Sequence, residues 1–224
     1  MTDSLRTIRV QEALLSKNRS IAERLRRRFQ EAGVQAVNLL SSRGSGKTTL
    51  LERTLSSLSR NTRAAVIVGD LATDNDGRRL AGKGAPIVQI QTGGICHLDA
   101  AMVERALAGL DLPSLDLLFL ENVGNLVCPS AYDLGEARRV VLLSVTEGED
   151  KPLKYPSAFR KADLVLITKA DIAAAVEFQR EAALEGLRRA APGVPILEVS
   201  ARTGQGMEAW LGWLESLLRQ EAEP

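Results

Sequence analysis

Cysteine and histidine are scarce in this chain. Its 224 residues include 2 cysteines, Cys96 and Cys128, and 1 histidine, His97. Two cysteines are too few for a disulfide framework, so in a reducing compartment the alternatives for them are burial or a chemical or metal-binding role. Long apolar runs are also lacking, since none approaches the roughly 20 residues of a membrane span and residues 1–13 lack the apolar stretch of a signal peptide. We therefore expect a cytoplasmic protein with no membrane partner.

An excess of charge of one sign is absent as well. The 29 lysines and arginines nearly balance the 28 acidic residues, which gives a formal net charge of +1. Such a chain has no overall field to attract nucleic acid or anionic lipid, so neither is expected as a partner. With 45% hydrophobic and 25% charged residues, the composition is that of a globular protein. Any polyanionic ligand must be held by local groups.

Short apolar runs rich in β-branched residues alternate with helical patterns. These runs are 37–40, 65–68, 87–90, 117–120, 140–145, 164–167 and 196–199. Because both faces of such strands are apolar, they predict a three-layer α/β fold, with a mostly parallel sheet of about seven strands and helices on both faces. We expect residues 1–33 to form an amphipathic helical segment packed on the core, with Leu14 and Leu25 on its apolar stripe, and residues 34–224 to form the main domain.

A phosphate-binding loop follows the first predicted strand. Gly44 and Gly46 allow backbone N–H groups to face a phosphate, Lys47 reaches the terminal phosphates, and the Thr48 hydroxyl is a ligand for Mg²⁺. Ser41 stands where this motif usually begins with glycine, and its small size makes the change tolerable. With this loop after the first strand, the predicted α/β fold is the three-layer P-loop NTPase fold. The nucleotide-binding residues predicted here are Arg43, Gly44, Ser45, Gly46, Lys47, Thr48 and Thr49.

Carboxylates follow two other predicted strands, where ligands of such sheets bind. Asp70 and Glu121 are expected to complete a magnesium site with Thr48. Gly124, three residues after Glu121, offers an N–H to a γ-phosphate, which would make this turn a nucleotide sensor. Asp74 and Asp76 are placed to position water or metal, although capping of a helix is the alternative for all these acids. The residues predicted to act in catalysis are Lys47, Asp70, Asp76 and Gly124.

The base is predicted to be guanine. Asp171 follows another strand, and its carboxylate can accept both the N1–H and the amino group of guanine, whereas adenine offers no such donor pair. Lys169 can cover the purine face, and the Ala201 N–H can meet guanine O6. The full set predicted at the base is Thr168, Lys169, Asp171, Ser200, Ala201 and Arg202. These motifs resemble those of GTPases, in which asparagine is common at the position of Thr168. Because asparagine there normally ties this loop to the phosphate-binding loop, we expect threonine to loosen the affinity for the base.

Both cysteines and the histidine lie past strand ends, on the face predicted for the nucleotide. Thiolate and imidazole suit Zn²⁺ or Ni²⁺ and not Mg²⁺. Three ligands, Cys96, His97 and Cys128, leave a four-coordinate site incomplete, so water or the same residues of a second subunit would finish it. The alternatives are that both cysteines are buried apolar groups while His97 caps a helix over 98–107, and, more weakly, that cysteine and histidine act as a catalytic pair.

Several long runs of the sequence resemble the HypB family of hydrogenase nickel-incorporation GTPases, within the SIMIBI class. They are 41–50, 69–76, 93–100, 121–129 and 144–156. The resemblance implies a GTP-hydrolysing metallochaperone for [NiFe] hydrogenase maturation that binds Ni²⁺ or Zn²⁺ at Cys96, His97 and Cys128. Residues 34–224 are then expected to be a GTPase domain with a built-in metal site. The resemblance also implies a GTP-dependent homodimer, with a HypA-type nickel chaperone and the hydrogenase large-subunit precursor as partners. Lys151 and Lys154 would contact the nucleotide, from this subunit or its neighbour, or are surface charges.

Two rival functions fit the sequence less well. A urease-type nickel-insertion GTPase shares the expected fold, but its Cys-Pro-His metal motif is absent while Cys-His-Leu-Asp-Ala is present at residues 96–100. A P-loop small-molecule kinase would need a lid-like arginine segment that the sequence lacks, and would not need the guanine-selecting residues. The hydrogenase branch is therefore preferred.

Overall fold

The computed structural model describes residues 2–71 and 75–220. Asp74, for which a metal-positioning role was predicted, lies outside them. Seven strands form one sheet in the order β3-β2-β4-β1-β5-β6-β7, and all neighbouring strands are parallel. The strands are β1 (Gln35–Ser41), β2 (Ala64–Asp70), β3 (Ile87–Gln91), β4 (Leu117–Glu121), β5 (Arg138–Ser144), β6 (Leu164–Thr168) and β7 (Ile196–Val199). The predicted seven-stranded parallel α/β fold is confirmed.

Helices connect the strands and cover the sheet. They are α1 (Thr2–Glu31), α2 (Lys47–Ser57), α3 (Asn75–Leu80), α4 (Ala100–Ala106), α5 (Lys151–Lys154), α6 (Pro156–Arg160), α7 (Arg180–Ala190) and α8 (Met207–Gln220). Parallel strands need such crossovers, and the helices bury the apolar faces of the sheet. Within the described ranges, the structure has no helix with the length and apolar character needed to span a bilayer.

Strand β1 lies at the centre of the sheet and every one of its residues is buried. Its register pairs Leu39 with Glu121 of β4 and Ser41 with Leu142 of β5. Val68 of β2 pairs with Glu121 from the other side. Because all strands are parallel, their carboxyl ends meet at one edge, and the loops that follow them form the site.

Helix α1 packs on the sheet through its second half. Ile21, Ala22, Leu25 and Phe29 are buried in one apolar cluster with residues of β1, β2, β4 and α4. Leu14, in contrast, is 56% exposed, so its expected place on the buried stripe is wrong. The structure has a single helix from Thr2 to Glu31, whereas the division of the chain at residue 33 stays a prediction.

Helix α8 covers the opposite side of the sheet. Trp210 is fully buried, and its indole Nε1 donates a 2.8 Å hydrogen bond to Thr54 Oγ1 of α2. Trp213 stacks on Trp210 with ring centroids 5.5 Å apart. Both tryptophans therefore act in packing, and they support the helix that follows the phosphate-binding loop.

We expect Leu25→Ala to lower the free energy of unfolding by about 2–5 kcal/mol, because it empties a fully buried position between α1 and the sheet. Urea denaturation measures this change. Leu14→Ala removes the same side chain from an exposed position of the same helix and should change stability by less than about 0.5 kcal/mol. Equal effects of the two substitutions would show that α1 does not contribute to the core.

Candidate nucleotide and metal site

The phosphate-binding loop joins β1 to α2 and is built around two left-handed glycines. Gly44 has φ 76° and Gly46 has φ 96°, conformations that L side chains rarely adopt. Gly46 immediately precedes α2, so the backbone N–H groups at the start of this helix face the loop. The predicted phosphate cradle is therefore present in the right place between a buried strand and a helix.

Lys47 is held inside this loop. Its Nζ donates a 2.7 Å hydrogen bond to Ser41 Oγ, and the Ser45 hydroxyl is also bonded to Ser41 Oγ. Burial lowers the pKa of Lys47 because it disfavours the ammonium, while the nearby Glu121 carboxylate opposes this shift. The residue in the leading position of the loop is thus a hydrogen-bonding partner for the lysine, which glycine could not be.

A magnesium site fits the end of β4. Thr48 Oγ1 donates a 2.7 Å hydrogen bond to Glu121 Oε1, whereas Glu121 Oε2 is buried without a hydrogen-bond partner among the described residues. Burial raises the pKa of Glu121 to about 7, against the opposing effects of Lys47 and the Thr48 hydroxyl. A carboxylate and a hydroxyl are hard oxygen ligands of the kind Mg²⁺ prefers. A cation there would supply the positive charge that the buried carboxylate needs.

A cavity of about 470 Å³ opens beside these groups. Asp70, the last residue of β2, and Asp76 of α3 line it together with Gly124. A Cβ on Gly124 would lie 2.8 Å from Arg43 Cα, so only glycine allows the turn after β4 to approach the phosphate-binding loop so closely. The structure brings all four predicted catalytic residues, Lys47 included, to this cavity.

A second cavity, of about 220 Å³, adjoins the first through Gly46, Thr49 and Lys169, which line both. It lies between the phosphate-binding loop, the loop after β6 and the loop after β7. The predicted base-binding residues that line it are Thr168, Lys169, Asp171, Ser200, Ala201 and Arg202. Two joined cavities of this kind match the shape of a nucleotide, with phosphates in the larger polar one and the base in the smaller.

Thr168 connects the two loops directly. Its Oγ1 donates a 2.7 Å hydrogen bond to the backbone oxygen of Ser45 across 123 residues of sequence. The threonine hydroxyl thus makes the tie between the loops that was expected of asparagine. The expected effect of threonine on base affinity stays a prediction. Lys169, the next residue, has φ 59°, and its Nζ donates to Thr146 Oγ1 at 3.3 Å.

The two lysines after β5 differ in placement. Lys151 Nζ donates to Ser42 Oγ of the phosphate-binding loop at 3.4 Å. Lys154 Nζ instead pairs with Asp150 at 2.5 Å on the surface, and it lines neither cavity. Contact of Lys154 with the nucleotide of a neighbouring subunit stays a prediction.

The two cysteines and the histidine come together. One ligand atom from each of Cys96, His97 and Cys128 lies within 4.8 Å of the others, with Cys96 Sγ 4.0 Å from His97 Nδ1. Cys96 and His97 belong to residues 93–99, which we call the first metal segment, and Cys128 to residues 125–133, the second metal segment. Burial lowers the pKa of His97, which keeps the imidazole neutral and able to bind a metal, while the Cys96 thiol raises the pKa of Cys128.

Three observations bear on the alternatives to metal binding by this group. The side chain that caps α4 is Asp99, which accepts from Met102 N at 2.7 Å, so the proposed capping role of His97 is wrong. The His97 ring stacks on Tyr132 with centroids 3.9 Å apart. Both cysteines are only half-buried, which does not fit simple burial as apolar groups.

Asn122 links the nucleotide cavity to the first metal segment. It directly follows Glu121, and its Oδ1 accepts hydrogen bonds from Leu98 N and Val123 N, each at 3.0 Å. Its Nδ2 is 3.4 Å from Asn38 Oδ1 of β1. Leu98 directly follows His97, so the buried side chain of Asn122 joins the residue after Glu121 to the residue after His97.

Sequence reasoning gave no role to Asn122, Tyr132 or Glu147. The carboxylate oxygens of Glu147 are buried without a hydrogen-bond partner among the described residues, and burial raises the pKa of this group despite nearby Lys151 and Lys169. Its position three residues past the end of β5 is the signal that could have drawn attention to it. Asn122 had a similar signal in its place one residue after β4.

The fold and these two cavities define a P-loop nucleotide-binding protein that carries a thiol and imidazole group beside its phosphate site. Residues 35–198 match the family described as CobW/HypB/UreG, nucleotide-binding domain. The chain belongs to this family and, within it, to the hydrogenase maturation factors HypB.

The relatives and solved structures agree with this assignment. The hydrogenase maturation factor HypB of Azotobacter vinelandii is 52% identical over 94% of this chain and 69% of its own length. That of Escherichia coli strain K12 is 47% identical over 94% of this chain and 73% of its own length. The crystal structure of HypB from Helicobacter pylori in complex with nickel superposes with a TM-score of 0.87 at 41% identity, covering 91% of this chain and 96% of that one.

We expect Thr168→Val to weaken nucleotide binding about tenfold, because it removes the hydroxyl and leaves the Ser45 carbonyl oxygen without its partner. Titration with a fluorescent GDP analogue measures the affinity. Thr168→Ser keeps the hydroxyl and is the matched control, with binding near that of the parent chain. If valine and serine bind the analogue equally well, the bond between the loops has no part in shaping the base cavity.

Proposed function

We propose that this protein is a GTP-hydrolysing metallochaperone that delivers nickel during hydrogenase maturation. The observation that carries the proposal is the placement of ligand atoms of Cys96, His97 and Cys128 within 4.8 Å of one another, next to a residue, Leu98, that is bonded to Asn122 at the wall of the phosphate cavity. Membership of the HypB family supports the same function. Nickel is the cargo, and Zn²⁺ suits the same ligands.

Guanine selection comes from Asp171 in the base cavity. A carboxylate accepts the two neighbouring donors of guanine and repels the acceptor N1 of adenine. Lys169 lies at the junction of the two cavities, where its stem can cover the purine face. Ala201 lines the same cavity and offers its N–H for guanine O6.

Hydrolysis depends on positioning and charge. Lys47 exchanges its bond with Ser41 for the terminal phosphates, and the Gly124 N–H meets the γ-phosphate from the opposite side. Thr48, Asp70 and Glu121 would hold Mg²⁺, which when bound neutralises charge that develops on the phosphates. Asp76, on the wall of the same cavity, orients the attacking water.

Coupling between nucleotide and metal follows from two connections. Gly124 is four residues before Cys128, so a γ-phosphate that draws in this turn pulls on the second metal segment. Asn122 holds Leu98 N next to His97, so the same movement pulls on the first metal segment. A nucleotide shifts metal affinity only as far as it distinguishes two arrangements of these segments, and metal shifts nucleotide affinity by the same factor.

A homodimer would complete the site. Three ligands from one chain leave room for ligands of a second copy across a two-fold axis, where the same patch meets itself. Ile95 and Val127 are exposed apolar residues that flank the ligands, which is a suitable start for such a contact. A HypA-type nickel chaperone and the hydrogenase large-subunit precursor are the proposed source and recipient of the metal.

We expect Asp171→Asn to weaken GTP binding at least about a hundredfold and to admit xanthosine triphosphate, because xanthine has a carbonyl oxygen where guanine has its amino group and the amide of asparagine can donate to it. The rates of phosphate release from GTP and from xanthosine triphosphate measure this change in nucleotide preference. The parent chain should hydrolyse GTP, and Lys47→Ala should not.

Asp111→Asn makes the same chemical change at an exposed position outside both cavities and serves as the control. An Asp171→Asn protein that keeps the parental preference for GTP would remove Asp171 from base recognition. A parent chain that releases no phosphate from any nucleotide would contradict the proposed hydrolysis itself.

We expect Ni²⁺ and Zn²⁺ affinity, and the fraction of dimer, to differ between the GDP-bound protein and the protein with a non-hydrolysable GTP analogue. Competition with a chromophoric chelator measures metal affinity, and analytical ultracentrifugation measures the dimer. Cys96→Ala should lose tight metal binding in both nucleotide states because it removes one of three ligands. Identical metal affinities and identical dimer fractions in the two states would refute the coupling.

A further inference from the structure

One buried side chain connects α1 to both metal segments. Asn18 is 7% exposed, whereas its neighbours Lys17 and Arg19 face solvent. Its Oδ1 accepts a 2.8 Å hydrogen bond from Ala100 N, and its Nδ2 donates a 2.8 Å hydrogen bond to Asp133 O. A buried carboxamide is costly unless both its oxygen and its nitrogen are bonded, and here both are used on backbone groups.

The two backbone groups lie next to the metal ligands. Ala100 directly follows the first metal segment, and Asp133 is the last residue of the second. Tyr132, the residue before Asp133, is the one whose ring stacks on His97. A single amide therefore bridges the backbone at the ends of two segments that must stay close for their thiols and imidazole to share one ion.

Packing of α1 does not require this amide. The apolar cluster around Leu25 holds the helix on the sheet, and Arg24 forms an ion pair with Glu104 of α4 at 3.0 Å. Arg26 also pairs with the Asp133 side chain, at 2.7 Å. Among the α1 side chains that the structure describes, Asn18 is the one that bonds the backbone at the ends of both metal segments.

We propose that Asn18 is a positioning residue for the soft-metal site, which sets the distance between the segment with Cys96 and His97 and the segment with Cys128. The inference rests on the proposed function, because it requires these three residues to bind a metal. It makes α1 part of the metal site, although α1 supplies no ligand. Outer partners that orient metal ligands typically change affinity 10- to 100-fold when they are removed.

The test measures Zn²⁺ and Ni²⁺ affinity of the full chain by chelator competition, together with the nickel–thiolate charge-transfer absorbance at saturating Ni²⁺. Asn18→Ala should weaken both affinities about tenfold and change the absorbance band, which a mere loss of stability would not alter at saturation. Asn18→Asp keeps the acceptor for Ala100 N and loses the donor to Asp133 O, so an intermediate loss of affinity is expected.

Arg24→Ala is the matched control, because it breaks another contact between α1 and α4 without touching either metal segment. Its metal affinity should stay within about twofold of the parent chain. If the parent chain binds Zn²⁺ and Ni²⁺ and both Asn18 variants bind them with the affinities of the parent chain, the positioning role is overturned and the proposed function stands. If the parent chain itself binds neither ion, the proposed metal site fails and this inference with it.

A measurement on the unaltered protein covers the case in which the variants do not fold. Saturating Zn²⁺ should slow amide hydrogen exchange in α1 around Asn18 as well as in the two metal segments, because the amide transmits the restraint. Helix α8, on the other side of the sheet, should exchange at an unchanged rate. Slower exchange in the metal segments with no change in α1 would overturn the role of Asn18.

Discussion

The parallel pairing of β1 with β4 on one side and β5 on the other is the constraint on which the site depends. It fixes the ends of three strands at one edge of the sheet, and β2 and β6 extend that edge in both directions. The functional side chains at these strand ends therefore lie close together, with Lys47 after β1 and Glu121 at the end of β4. A slip in the register of β4 by one residue would move Glu121 to the other face of the sheet and away from Thr48.

Much of the fold and part of the site could be predicted because their signals are local in sequence. Each buried strand is an uninterrupted apolar run, and the phosphate-binding loop is specified by glycines that accept positive φ. Once the strands are assigned, parallel pairing alone places Asp70, Glu121 and Asp171 at one edge. The proximity of the two cysteines could be predicted as well, because both follow strands of the same sheet.

The contacts that hold the site together could not be predicted in this way, because their partners are far apart in sequence and belong to residue types with many uses. Thr168 Oγ1 donates to the Ser45 carbonyl oxygen, 123 residues away in sequence, and Asn18 Oδ1 accepts from Ala100 N, 82 residues away. An asparagine in a charged helix gives no sign that it is buried, as Asn18 is. Leu14 on the same helix has the spacing of a buried residue but is exposed. His97 was weighed as a helix cap because the pattern does not show that Asp99, two residues later, accepts from Met102 N.

The hydroxyl of Ser41 has a consequence for the way anions enter the loop. A free lysine side chain samples many rotamers, and immobilising it on a ligand costs up to about 2 kcal/mol of conformational entropy. Here Lys47 is already ordered by Ser41 before any phosphate arrives. The incoming anion therefore meets a preorganised ammonium and loses less of its binding free energy to ordering. When the anion leaves, Ser41 Oγ again accepts a hydrogen bond from Lys47 Nζ. The buried ammonium is therefore not left without a partner.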